Sequence, residues 1–122
     1  MDKFNPPVLR QVIWLGNSRK TIQDFPDEVR KLIGAELQLI QFGEKPKNTK
    51  PFKGVGSGVF EIALRYETGA YRTVLAVQLG KKIYILHCFQ KKSKQGIATP
   101  AHEIDLIKQR YNEAKEMAKD EH

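Results

Sequence analysis

Residues 82–100, KIYILHCFQKKSKQGIATP, end an apolar run in a histidine and an aromatic and continue into lysines with no acidic residue among them. His87 titrates near neutrality and Lys91, Lys92 and Lys94 follow it closely, a combination suited to gripping a phosphodiester and moving a proton beside it. RNA is the first substrate these residue types bring forward. Attack by a ribose 2′-OH on the adjacent phosphorus requires neither a metal nor a protein nucleophile, only orientation, charge stabilisation and proton transfer. In that chemistry Arg72 and Lys91 or Lys92 would stabilise charge on the phosphoryl oxygens, and His87 would be general acid or base. Phe89 is either a stacking platform for a base or part of the core. The histidines, His87, His102 and His122, lack ligand spacing, so no metal or other cofactor is expected. Cys88 stands alone in the sequence, which excludes an internal disulfide and reads as a small buried hydrophobe.

The elements that must position these groups are legible from periodicity. Val8 to Leu15 reads as a strand ending in the turn Gly16-Asn17-Ser18, with Ser18 able to cap a short helix. A second helix starts at Phe25-Pro26-Asp27-Glu28, continues with Val29, Leu32, Ile33, Leu37 and Ile40 at helical spacing, and is capped by Gly43. Residues 44–58 read as a Pro/Gly-rich connector bearing Lys45, Lys47, Lys50 and Lys53, and without the lysine-serine ending of a nucleotide-binding loop. Strands are predicted over Val59 to Tyr66, Ala70 to Leu79 and Lys82 to Phe89. Pro100 precedes a terminal helix that shows Ile104, Ile107, Tyr111, Ala114 and Ala118 on one face.

Register brings the candidates together. If Gly80-Lys81 is a two-residue turn, Val77 faces Tyr84, Leu75 faces Leu86 and Thr73 faces Cys88 on an apolar side, while Ala76, Val74 and Arg72 face Ile85, His87 and Phe89 on the other. With Tyr66 opposite Tyr71, Phe60, Ile62 and Leu64 join the apolar side and Glu61 and Arg65 join Arg72 and His87. That sheet face is expected to be exposed and to lie away from the N-terminal helices. Glu61 with Arg65 reads as an ordinary surface ion pair. Arg110 and the acids of the terminal helix read as its wet face.

A chain of 122 residues, 40% hydrophobic, suits one domain, residues 1–122, with its own core. No run is long and apolar enough for a membrane helix and MDKFNPPVLR lacks the apolar heart of a signal peptide, so a cytoplasmic protein with no membrane partner is expected. The net charge of +7 is concentrated: residues 1–43 carry +1, residues 44–100 carry +8 and residues 101–122 carry −2. A basic middle points to a polyanion or to an acidic protein segment.

The wording VIWLGNSRKTIQDFPDEVRKLIG, KPFKGVGSGVFEI, YRTV, YILHCFQKKSKQGIATP and EIDLIKQR resembles the phage-related, HigB-like branch of the RelE/ParE toxin superfamily, the toxin halves of type II toxin-antitoxin modules. The resemblance spans nearly the whole chain, and FQKKSKxGIxTPxxEIDLIxxR is its specific part. It implies an α+β fold with N-terminal helices packed on a small antiparallel sheet and a C-terminal helix. It further implies ribosome-dependent, metal-independent cleavage of mRNA. A helix-turn-helix antitoxin of the HigA-like kind would neutralise the toxin and carry it to operator DNA. Arg72, His87, Lys91 and Lys92 match the family's active-site cations, and Lys50, Lys53, Arg65, Phe89, Ser93 and Lys94 are the expected RNA contacts. Related branches have an arginine two residues after the strand glutamate; here that position is Ala63, with Arg65 two residues beyond. A gyrase-inhibiting toxin of the ParE kind, or an inactive phage-derived RNA-binding or regulatory protein, remains the alternative.

Overall fold

The structure, a computed structural model, describes residues 9–91 and 99–121. Among the described residues five strands and three helices follow in order: β1 (Val12–Trp14), α1 (Ser18–Gln23), α2 (Asp27–Gln41), β2 (Thr49–Pro51), β3 (Val59–Tyr66), β4 (Gly69–Ala76), β5 (Ile83–Lys91) and α3 (Ala101–Lys119). The sheet order is β1-β5-β4-β3-β2. The fold is α+β, as the sequence indicates, but the sheet is mixed: β2 to β5 are antiparallel and β1 joins β5 in parallel.

Helices cover both sheet faces. Val29, Ile33, Leu37 and Ile40 of α2, with Ile22 and Phe25, bury one side against Ile62, Leu64, Tyr71, Leu75, Ile83 and Ile85. On the other side Ile107 and Ala114 of α3 meet Val59, Val74, Ala76, Tyr84, Leu86 and Phe89. Pro26 and Pro100 stand immediately before α2 and α3, where a missing N–H costs nothing, and Gly43 (φ 89°) takes the left-handed conformation that stops α2. Leu32, expected on the apolar stripe of α2, is instead 45% exposed. It lies on the edge of the helix that turns away from the sheet.

Three features of the sheet differ from the sequence reading. The connector contains β2, whose Lys50 pairs with Glu61; buried Glu36 of α2 secures its start by accepting from the Asn48 backbone N–H, Asn48 Nδ2 and Thr49 Oγ1. The β3–β4 turn is Glu67-Thr68, with Tyr66 opposite Gly69 and Leu64 opposite Tyr71. This two-residue shift preserves which side chains share a face. The β4–β5 connection is wider than Gly80-Lys81 because β4 ends at Ala76 and β5 begins at Ile83. The Arg10 guanidinium gathers the carbonyls of Val77 at 2.7 Å, Lys81 at 2.9 Å and Lys82 at 3.1 Å and so takes over the bonding of that loop.

A bulge resolves the second register. Thr73–Cys88, Val74–His87 and Arg72–Phe89 pair as expected, but Leu75 faces Ile85 and Ala76 faces Tyr84. Leu86 is the extra residue. The insertion reverses the alternation on the loop side of β5, which sends Tyr84 and Leu86 to the α3 layer and Ile85 to the α2 layer. On the other side of the bulge the parity holds, and the candidate residues share a face.

Candidate functional site

Beyond the N-terminal end of α3 the sheet face carries a small lattice of charged positions. Glu61, Val74 and His87 form one cross-strand row, Ala63, Arg72 and Phe89 the next, and Arg65, Ala70 and Lys91 the last; Lys50 on β2 stands opposite Glu61. Side chains directly opposite or two apart along a strand project from the same face, so Lys50, Arg65, Arg72 and Lys91 converge from four adjacent strands. Alanines at 63 and 70 leave room between them. The result is a shallow depression of about 210 Å³ lined by Lys50, Ala63, Leu64, Arg65, Ala70 and Arg72.

Glu61 is the counter-ion of this cluster. Its Oε1 accepts from Arg72 Nη1 at 2.7 Å, and the carboxylate side is buried while Arg72 remains partly open to solvent. The sequence reading had Glu61 partner Arg65 at the surface. Glu61 is only 8% exposed, and its hydrogen-bonded partner is Arg72 across β3 and β4. This bond fixes one edge of the guanidinium. Lys91 is held below the ordinary lysine value, first by burial and then by the positive charges of Arg72 and Lys50, against the opposing pull of Glu61. A neutral amine is therefore easier to form at Lys91 than at a solvated lysine.

His87 occupies a different environment from the exposed one expected. It is 7% exposed beneath α3, on the sheet face away from α1 and α2. Its Nε2 lies 2.7 Å from Glu103 Oε1 and its Nδ1 lies 3.2 Å from Arg110 Nη1. Burial lowers its pKa, Glu103 raises it, and Arg110 and His102 lower it further. Phe89 stacks on the ring at 5.3 Å and is itself 5% exposed, so its face serves the core.

Arg110 and Glu103, read from sequence as part of a wet face, are inward-facing. Arg110 is buried, donating to the Leu86 carbonyl at 3.0 Å and to Asn17 Oδ1 at 3.0 Å. Its guanidinium rests on Gly16 (φ 54°), where an added Cβ would stand 2.5 Å from the guanidinium carbon. The signal was present in the spacing: 103, 107, 110 and 114 recur at intervals of four, three and four, the stripe that also contains buried Ile107 and Ala114.

Lys53 is exposed after β2 and is not among the residues lining the depression. Lys92, Ser93 and Lys94 lie outside the described residues. The Cys88 thiol is buried and pushed up to about 12, which keeps it protonated and unreactive. Among the described residues no helix is long and apolar enough to cross a membrane.

No curated protein matches this chain. A family model described as phage derived protein Gp49-like (DUF891) matches residues 20–112, which include both N-terminal helices' core, the whole cationic row and Arg110. That span is more than half of the chain, and the protein therefore belongs to the phage-derived Gp49-like family, a RelE/ParE-like toxin family.

Proposed function

We propose that this protein is the toxin of a HigB-like toxin-antitoxin pair and acts as an endoribonuclease on ribosome-bound mRNA in the cytoplasm. The observation that carries the reading is the convergence of Lys50, Arg65, Arg72 and Lys91 around one open depression. Neighbouring strands lie ~4.8 Å apart, so a row from β2 to β5 spans about 14 Å, enough to follow several atoms of a nucleic-acid backbone. Arg72, steadied by Glu61, would hold the phosphoryl oxygens as the 2′-OH oxygen bonds to phosphorus and the bond to the 5′ oxygen breaks, leaving a 2′,3′-cyclic phosphate. The proton released by the 2′-OH needs an acceptor and the 5′ oxygen needs a donor. Lys91, with its weakened ammonium, fits one of these roles. A helix-turn-helix antitoxin would neutralise the cationic site and take the complex to operator DNA.

The second reading, a non-enzymatic ParE-like inhibitor, is favoured by His87, whose two ring nitrogens are both engaged by α3. Induction of the protein alone, followed by primer extension on translated transcripts, separates the two. New 5′ ends within translated mRNA, abolished by Arg72→Ala, are expected. Intact mRNA with arrested gyrase would reject the nuclease and support the inhibitor.

A further inference from the structure

Arg110 points into the α3–sheet interface between the buried Ile107 and Ala114. It donates to the Leu86 carbonyl, to Asn17 Oδ1 and to His87 Nδ1, while Glu103 engages His87 Nε2. A guanidinium has donors only. His87 Nδ1 must therefore be bare and accepting, and the imidazole is the neutral tautomer that donates from Nε2 to Glu103. We propose that this contact is a proton-sensitive latch on α3: protonating His87 sets an Nδ1–H against an N–H of Arg110 and releases the helix from the sheet.

The groups facing His87 from each packed element set the direction of the effect. From α3, Glu103 favours the imidazolium, and Arg110 and the exposed His102 oppose it. From β5 the Phe89 ring stacks on it, from β4 Val74 stands opposite, and from the turn before α1 the neutral Asn17 holds Arg110; none of these three carries charge. Glu61 on β3 continues the row but is bonded to Arg72. Burial outweighs the pull of Glu103 and keeps the ring neutral below the usual histidine value. A histidine depressed in this way contributes docking stability above the ordinary histidine range and loses it as pH falls towards the lowered folded value. α3 is also held by Ile107, Ala114, Tyr111 and Ala118 in the apolar layer, by the Arg110 bonds to the Leu86 carbonyl and Asn17, and at its far end, where Glu121 accepts from Tyr84 and from the Lys81 N–H at 2.7 Å. The α2 core lies on the opposite face and is independent of the latch. Nor does the latch depend on any action on RNA.

The test is an NMR titration of the full chain. At neutral pH the His87 ring should show the Nε2–H tautomer. On acidification the α3 amides should shift and lose protection with the midpoint of the His87 ring, below that of a free histidine, while α2 stays protected. Glu103→Gln should move that midpoint lower by removing the carboxylate that favours the imidazolium. His87→Gln, which can both accept and donate, should abolish the transition. An Nδ1–H tautomer at neutral pH, an α3 that stays docked through the His87 titration, or the same midpoint in His87→Gln would overturn the latch. Should His87→Gln fail to fold, ring and α3 midpoints more than about one pH unit apart in the unaltered protein would overturn it as well.

Discussion

The Glu61–Arg72 bond and Lys91 beside it make the site's charge adjustable at a single amine. An anion in the depression would add an attraction that opposes the burial and the Arg72 and Lys50 charges depressing Lys91, so binding should raise its pKa and take up protons. Affinity for a short RNA should accordingly fall as pH rises through the Lys91 value, and the Lys91 side-chain NMR titration should move upward when RNA or inorganic phosphate is added. A Lys91 curve unaffected by either would place the anion elsewhere. Arg110 makes the opposite kind of contribution: Arg110→Ala strands the Leu86 carbonyl and the groups it holds in the interior, with an expected loss of about 3 kcal/mol in urea unfolding. At this scale the sequence revealed which residues would meet on one face, since Arg72 and His87 follow from strand parity. It did not reveal that His87 would be covered, because its cover comes from Glu103 and Arg110, residues whose charge reads as solvent-facing unless their spacing to Ile107 and Ala114 is given more weight than their type.

Strands and helices with strong apolar periodicity were legible: α2, β3, and α3 from its first residue. β2 was not. Three residues, one of them Pro51, in a lysine-rich segment have no alternating pattern to detect, and what makes them a strand is the tertiary anchoring of Asn48 and Thr49 by Glu36. Glu36→Ala should therefore loosen Lys50 as well as α2, seen as faster exchange of the Thr49 and Lys50 amides. The β3–β4 turn has its own local cost. Glu67 sits at φ 53°, a conformation that glycine takes without steric penalty. Glu67→Gly should raise stability by up to about 1 kcal/mol in urea unfolding, and a loss of that size would show that the Glu67 side chain makes a compensating contact. The β4–β5 register was half legible because one inserted residue, Leu86, cannot be seen in a pattern of consecutive apolar side chains that suits both faces.

For the molecule as a whole, the basic middle segment of +8 contributes Lys50, Arg65, Arg72 and Lys91 to the sheet surface that α3 leaves open. Binding of single-stranded RNA should fall with salt at a log–log slope of about −2 to −3, and Lys50→Gln or Arg65→Gln should each flatten it by about 1 without lowering stability. A slope near zero, unchanged by both variants, would mean that these cations meet no phosphates. The parallel pairing of β1 with β5 has a further, kinetic consequence. Val12–Trp14 leaves the ribosome well before its partners Ile83–Ile85, roughly seventy residues later, and closing so long a chain segment is slow as well as entropically costly. β1, the earliest of the described strands, is therefore the last to find its place in the sheet. Until β5 has been synthesised, β1 has no strand to pair with and the apolar face of α2 lacks Ile83 and Ile85 from its floor, so a nascent chain stalled before Ile83 should stay protease-sensitive throughout.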